Sequence, residues 1–158
     1  MLDLNSIQSP FEFMGSAICE MSVQNHLLHI GPQTSPKIEM QIMVSNVSHE
    51  VEDKKFFGTV ALNIKINLIT KDDPIEDKIT FGLEGGFCAS DTIDETLFSN
   101  MLSLNGSTIL YSIARGKIES ISSAIFEYGK IELPVVNMNQ YFEKEASKAE
   151  KNNIDKQE

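Results

Sequence analysis

Between Phe56 and Thr70 hydrophobic and polar positions alternate with a period of two. Val60, Leu62, Ile64, Ile66 and Leu68 fall on one side, and Thr59, Asn63, Lys65 and Asn67 on the other. Successive side chains of a strand point to opposite faces. The segment therefore predicts a long strand with one buried and one wetter face, the mark of an antiparallel sheet. Lys37 to Val44 repeats the pattern, with Ile38, Met40, Ile42 and Val44 opposed to Glu39 and Gln41. Lys78 to Phe87 does so again, with Ile79, Phe81 and Leu83 against Thr80, Gly82 and Glu84. Phe11 to Val23 is less regular, and Gly15, Ser16 and Ala17 predict a bent or bulged strand there. Gly31, Pro32 and Pro36 mark a loop, and Asp72, Asp73 and Pro74 a turn. Gly85 and Gly86 are expected to end or bulge the fourth strand.

From Asp94 the period becomes helical. Leu97, Met101, Leu102 and Leu104 make a short helix, expected to break at Asn105 and Gly106, a pair that favours left-handed backbone. Ser107 or Thr108 then caps a long helix. Its stripe of Leu110, Ala114, Ile118, Ile121 and Ile125 is widened by Tyr111, Ile113 and Ala124. Such a stripe is wider than one sheet face requires, so cover from a second subunit is expected as well. Leu110, Ile113, Ala114, Ile118, Ile121 and Ile125 are the candidate oligomer interface. Arg115, with no reacting partner near it in sequence, is expected to be a structural anchor. Tyr128, Gly129 and Pro134 close the helix. A second one restarts over Asn139 to Glu150, with Tyr141, Phe142 and Ala146 on its apolar side. Beyond Ser147 the composition predicts a frayed tail. The chain thus reads as one α+β domain over residues 1–146, with a charged tail over 147–158. A four-stranded antiparallel sheet carries the long helix and a shorter C-terminal helix on one face.

A chain of 158 residues can bury about two-thirds of its unfolded surface, enough for one core. The net charge of −10 argues against nucleic acid and anionic membrane as partners. Eight acids between Asp72 and Glu95 face the single base Lys78. They read as a solvated face or as a docking patch for a basic partner, the first being favoured. The segment MLDLNSIQSP has no basic region followed by an apolar run, and Phe56 to Ile69 is interrupted by Asn63, Lys65 and Asn67. Neither a signal peptide nor a membrane span is expected. Cys19 and Cys88, without CxxC spacing, read as reduced packing residues of a cytoplasmic protein.

Chemistry is sparse. His26 and His29 have H-x-x-H spacing with Cys19 upstream, but a metal needs three or four converging ligands. Loop histidines are the favoured reading, and His49 reads as solvated. No Ser lies in a nucleophile turn, GLEGGF lacks the Lys of a phosphate loop, and Asp72/Asp73 and Asp94/Glu95 are explained by turn and helix-start preferences. No enzyme, metal or cofactor is expected. Apolar material is left over. Phe56 and Phe57 point to opposite faces, and Phe11 and Phe13 sit among polar neighbours. Seven methionines add adaptable surface. With Phe87, Tyr141 and Phe142, these phenylalanines are the candidate walls of a groove for non-native chain segments.

From Gly82 to Phe142 the chain resembles SecB, the family of export chaperones. The resemblance is carried by GLEGGF (Gly82 to Phe87), by ILYSIARGKIESI (Ile109 to Ile121) with its Ala114-Arg115 pair, and by LPVVNMNQYF (Leu133 to Phe142). Phe11-Glu12 stands where the family has an early Phe-Glu. The resemblance implies a homotetramer, a dimer of dimers with the long helices between the sheets. It implies a holdase that keeps unfolded or precursor polypeptides in long apolar grooves without nucleotide. It also implies docking to the translocation motor SecA through the outer sheet face, with Glu12, Phe81 and Glu84 as the candidates. The chain departs from the family's pattern at Ser112 or Ile113, where a Pro is usual, near Met138, where an aromatic is, and at Phe81, where an acid is. SecB-like proteins that serve as adaptors or as chaperones for one partner such as an antitoxin are the alternative reading.

Overall fold

The computed structural model describes residues 9–26, 34–70, 76–126 and 129–154. Its strands are β1 (Phe11–Gln24), β2 (Thr34–Val44), the short β3 (Ser48–Glu50), β4 (Lys55–Thr70) and β5 (Glu76–Ser90). They form one antiparallel sheet in the order β1-β5-β4-β2, with β3 pairing β4 beyond the end of β2. The four long strands fall where the sequence places them, but β2 starts at Thr34, so Pro36, read as part of a loop, instead pairs with Leu68 on this edge strand; β3 is an addition too short to show a period. β4 and β5 pair without interruption from Lys55↔Ser90 to Ile69↔Glu76.

Cross-strand partners share a face, so the register explains the core. Ile38, Ile66, Ile79 and Val23 stand in one row, then Met40, Ile64, Phe81 and Met21, then Ile42, Leu62, Leu83 and Ile18. The helices cover this face. In each row the β4 and β5 members are buried, whereas Ile18 and Met21 at the β1 edge are exposed. Phe11, Phe56, Phe87 and Phe98 join the core as one aromatic cluster, with ring centroids 5.1 Å (Phe11–Phe87), 5.8 Å (Phe11–Phe98) and 5.9 Å (Phe56–Phe98) apart.

β1 is bulged twice, at Met14 and at Cys19, where its register against β5 shifts. Each bulge inserts one residue and reverses the parity of the residues after it. Phe11 and Phe13 face the helices, then Ser16 and Ile18, then Met21 and Val23. Gly15 supplies the positive φ of 147° that the first bulge needs. Gly85 and Gly86, in contrast, neither end nor bulge β5, which runs on to Ser90.

The helical half begins with α1 (Glu95–Met101), capped by Asp94, whose Oδ1 accepts the Leu97 N–H at 2.7 Å. The expected break at Asn105 and Gly106 does not occur. Gly106 is right-handed (φ −57°, ψ −48°), and the chain passes through one π turn, Leu102–Gly106, directly into α2 (Ser107–Ile125). A side chain at Gly106 would meet Val60 at 3.1 Å and Phe87 at 3.4 Å. The glycine lets the helix lie close on the sheet rather than stopping it. Ser107 is consequently a buried interior residue, not a cap, and Thr108 donates back to the Leu104 carbonyl at 2.7 Å.

α3 (Met138–Ile154) has 17 residues against the 19 of α2. It continues through the segment expected to fray as far as Ile154. The α2 stripe divides in two: Leu110, Ala114 and Ile118 are buried under the chain's own sheet, and Ile113, Ile121 and Ile125 are only half-buried along its flank. The first three are therefore spent on the monomer core and are not open to a second subunit.

The cysteines differ in environment. Cys19 is exposed at the second bulge, and Cys88 is buried with its Sγ 3.6 Å from Glu12 Oε2. Burial first, and the Glu12 carboxylate second, push the Cys88 thiol above its ordinary range. A thiol held protonated is a poor nucleophile. Titration with a thiol-reactive disulfide at pH 8 is expected to give one fast equivalent in the folded protein and two in denaturant. Two fast equivalents without denaturant would show that Cys88 is accessible.

Candidate polypeptide-binding groove

A cleft of about 310 Å³ opens between β2 and α3. Ile38 and Met40 of β2 form one wall, Ile64 of β4 and Tyr111 of α2 its base, and Pro134, Val136 and Tyr141 the opposite side. Lys144, Glu145 and Lys148 of α3 stand at the rim, where Lys148 pairs with Glu145 at 2.6 Å.

This cleft exists because the crossover between α2 and α3 is held as a strap across the helix. Arg115 Nε donates to the Leu133 carbonyl at 3.0 Å, and the Tyr111 hydroxyl to the Pro134 carbonyl at 2.7 Å. The Ile131 N–H donates to Ser122 Oγ at 2.9 Å. Arg115 is the anchor that its sequence context predicts. Ile131 and Leu133 are buried beneath the strap, and Lys130 pairs with Glu119 and Glu132 at its start. Burial pushes the Tyr111 phenol above its ordinary value, partly offset by the Arg115 guanidinium, so its hydroxyl stays a donor. Asn137 then starts α3: its Oδ1 accepts the Gln140 N–H at 3.2 Å and its carbonyl the Tyr141 N–H at 3.0 Å. These bonds place Tyr141, whose hydroxyl accepts the Ile42 N–H at 3.1 Å.

β2 is an edge strand along this side of the sheet. Backbone groups on a strand point alternately to its two neighbours. The Ile42 bond shows that the even-numbered residues direct theirs outward. Ile38 and Met40 thus line the cleft with their side chains and present N–H and C=O groups along its lip. An extended chain laid here gains main-chain bonds and an apolar pocket together.

Of the groove candidates, Tyr141 lines the cleft and Phe142 braces it, edge-on with ring centroids 5.3 Å apart. Phe11, Phe56 and Phe87 are interior residues of the aromatic cluster and face no groove. Phe13 is 40% exposed, but at the β1 edge, across the sheet from the cleft. Phe57 shares the outer face with Cys88, away from the helices. Among the motor-docking candidates, Glu12 and Glu84 are exposed on that outer face, with Lys55 Nζ 3.9 Å from Glu12 Oε2. Phe81 is 1% exposed and points to the helices, so it is removed from any outer surface. Sequence pattern does not mark Ile38, Ile64, Tyr111, Pro134 and Val136 as groove walls; Met40 is visible only as one of the seven methionines, and the Pro134-Val135-Val136 run is apolar without a period.

His26 is held by Asp77, whose Oδ1 accepts the His26 backbone N–H at 2.8 Å and lies 2.8 Å from its Nδ1. Asp77 belongs to the acidic stretch but points inward, 1% exposed. Asp94 of the same stretch is a helix cap, Glu76 pairs with Lys78 at 3.5 Å, and Asp72 and Asp73 lie outside the described residues. The stretch is therefore not one continuous face. Among the described residues no three His, Cys, Asp or Glu side chains converge on a metal position, and His29 lies outside them. No helix among the described residues is long and apolar enough to cross a membrane.

The sequence matches no protein-family model and no curated protein. Among solved structures, the Mycobacterium tuberculosis Rv1957 SecB-like chaperone in complex with a ChAD peptide from the Rv1956 HigA1 antitoxin superposes with a TM-score of 0.61. The match covers 80% of this chain and 91% of that one at 11% identity. The fold is SecB-like. A protein of unknown function from Streptococcus agalactiae also matches, at a TM-score of 0.48 and 12% identity, over 79% of this chain and 97% of that one. The SecB-like scaffold here carries its open apolar cleft beside the β2 edge.

Proposed function

We propose that this chain is a polypeptide-binding chaperone that acts without nucleotide and holds an extended apolar segment of a restricted partner. The carrying observation is the cleft whose wall, Ile38 and Met40, is also an open strand edge. Binding there removes apolar side chains from water, at roughly 25 cal/mol per Å², and is offset by ordering the partner. A cleft of about 310 Å³ takes few side chains, which favours a dedicated partner over many clients. The antitoxin peptide on the Rv1957 SecB-like chaperone supports the same choice. A second reading, a cytoplasmic export holdase that hands precursors to SecA, is favoured by the exposure of Glu12 and Glu84 on the outer face. In either reading the chain assembles as a homotetramer. Ile113 and Ile121 beside Ile18 form the open apolar flank for it, and Ile125 lies further along the same helix.

Light scattering of three unrelated unfolded proteins, with chaperone in equimolar amount, separates the readings. Suppression of at most one of them is expected. Suppression of all three supports the export holdase instead. If no alternating apolar peptide binds at micromolar concentration, the groove itself is wrong. Sedimentation of a stable monomer at tens of micromolar would remove the assembly.

A further inference from the structure

The free edge of β2 is closed at both ends of the cleft. Outward N–H groups belong to the even-numbered residues, and Pro36, the first of these beside the cleft, has none to offer. Ile38 and Met40 come next with theirs open, and Ile42 after them already donates to the Tyr141 hydroxyl. The opposite parity is used inside the sheet, as the Ser45 N–H to Thr59 carbonyl bond shows at 2.9 Å. The tyrosine oxygen therefore sits where the carbonyl oxygen of an added strand would have to come. Tyr141 is not free to swing away, because Asn137 fixes its backbone and the Phe142 ring stands edge-on to its own.

Resting on the groove reading above, the geometry points to Tyr141 as a register stop: by occupying the Ile42 N–H it limits an added strand to the window between Pro36 and Ile42. The partner is then a short extended segment whose every second side chain turns into the cleft, in one register. The stop makes the site length-selective. A longer partner gains nothing by continuing past Met40 unless it displaces the hydroxyl, and displacement exchanges one hydrogen bond for another.

The test uses a labelled seven-residue peptide of alternating Thr and Val with a central Phe, and two versions lengthened by four residues at the N- or C-terminal end. Anisotropy titrations are run on the full chain and on Tyr141→Phe, which keeps the ring and removes the oxygen. The wild type is expected to bind all three within twofold. Tyr141→Phe is expected to bind one lengthened peptide about fivefold tighter than the short one, the effect of one added hydrogen bond. The Ile42 amide should exchange faster in free Tyr141→Phe than in the wild type, and slow again with that peptide. Met43→Gln, on the opposite face of β2, leaves the hydroxyl and its ring contacts in place and should behave as the wild type. An equal gain from lengthening in wild type and Tyr141→Phe overturns the stop alone, as does an unchanged Ile42 exchange rate. Failure of every peptide to bind either protein overturns the groove reading with it.

Discussion

Phe87→Ala is expected to lower stability by about 3–5 kcal/mol, the cost of removing a fully buried aromatic and leaving a cavity. The ring lies 5.1 Å from Phe11 and 5.3 Å from Phe13, and Gly106 brings α2 down onto it. The two rings and the glycine backbone around it leave little that can collapse into the space. At about 2–4 °C per kcal/mol for a chain of this size, the thermal midpoint should fall by roughly 10 °C. Phe13→Ala removes the same side chain from a site 40% exposed and should cost a third of that or less. Denaturation midpoints that move equally for the two would mean that the aromatic cluster is not the interior it is described as.

Met40→Gln is expected to weaken binding of an alternating apolar peptide about tenfold while the fold is kept. Glutamine has nearly the length and flexibility of methionine, but its amide must give up water to stand against an apolar client side chain. Met40 is half-buried at the cleft wall, so the monomer itself loses little. Met43→Gln is the matched control: the same exchange three residues on, on the opposite face of β2 and 48% exposed. It should leave the affinity within twofold. Equal losses from both would place the peptide elsewhere than the cleft.

The range of each interaction decides whether the sequence discloses or hides it. β4 is legible because it is central and buried on one side only, so every Val60 to Leu68 position reports its face. Arg115 is legible as an anchor by its isolation within an apolar helix. The Asn105-Gly106 pair misleads because glycine has two uses, and the sheet beneath selects close approach over left-handed backbone. Phe11, Phe56 and Phe87 look surplus in sequence because the helix that covers them brings Phe98 from far along the chain. The groove is the least legible part. Its walls come from β2, β4, α2, the strap and α3, and the Tyr141 to Ile42 bond spans 99 positions. The pairing of His26 with Asp77 spans 51. No local period carries such information.

The two bulges of β1 have a consequence for how relatives of this chain diverge. Each reverses the strand's phase and the second restores it, so Phe11 and Val23 agree although the residues between them do not. Loss of Met14 or Cys19 alone would remove one bulge and leave every other residue opposite its present β5 partner, whereas loss of a paired residue would slip one side of the strand by a position and turn it inside out. Single deletions in this strand are therefore tolerated at the two bulges and not between them. An alignment that opens its gap at Met14 or Cys19 keeps like with like, and one that opens it elsewhere joins residues from opposite faces of the sheet between the gap and the bulge.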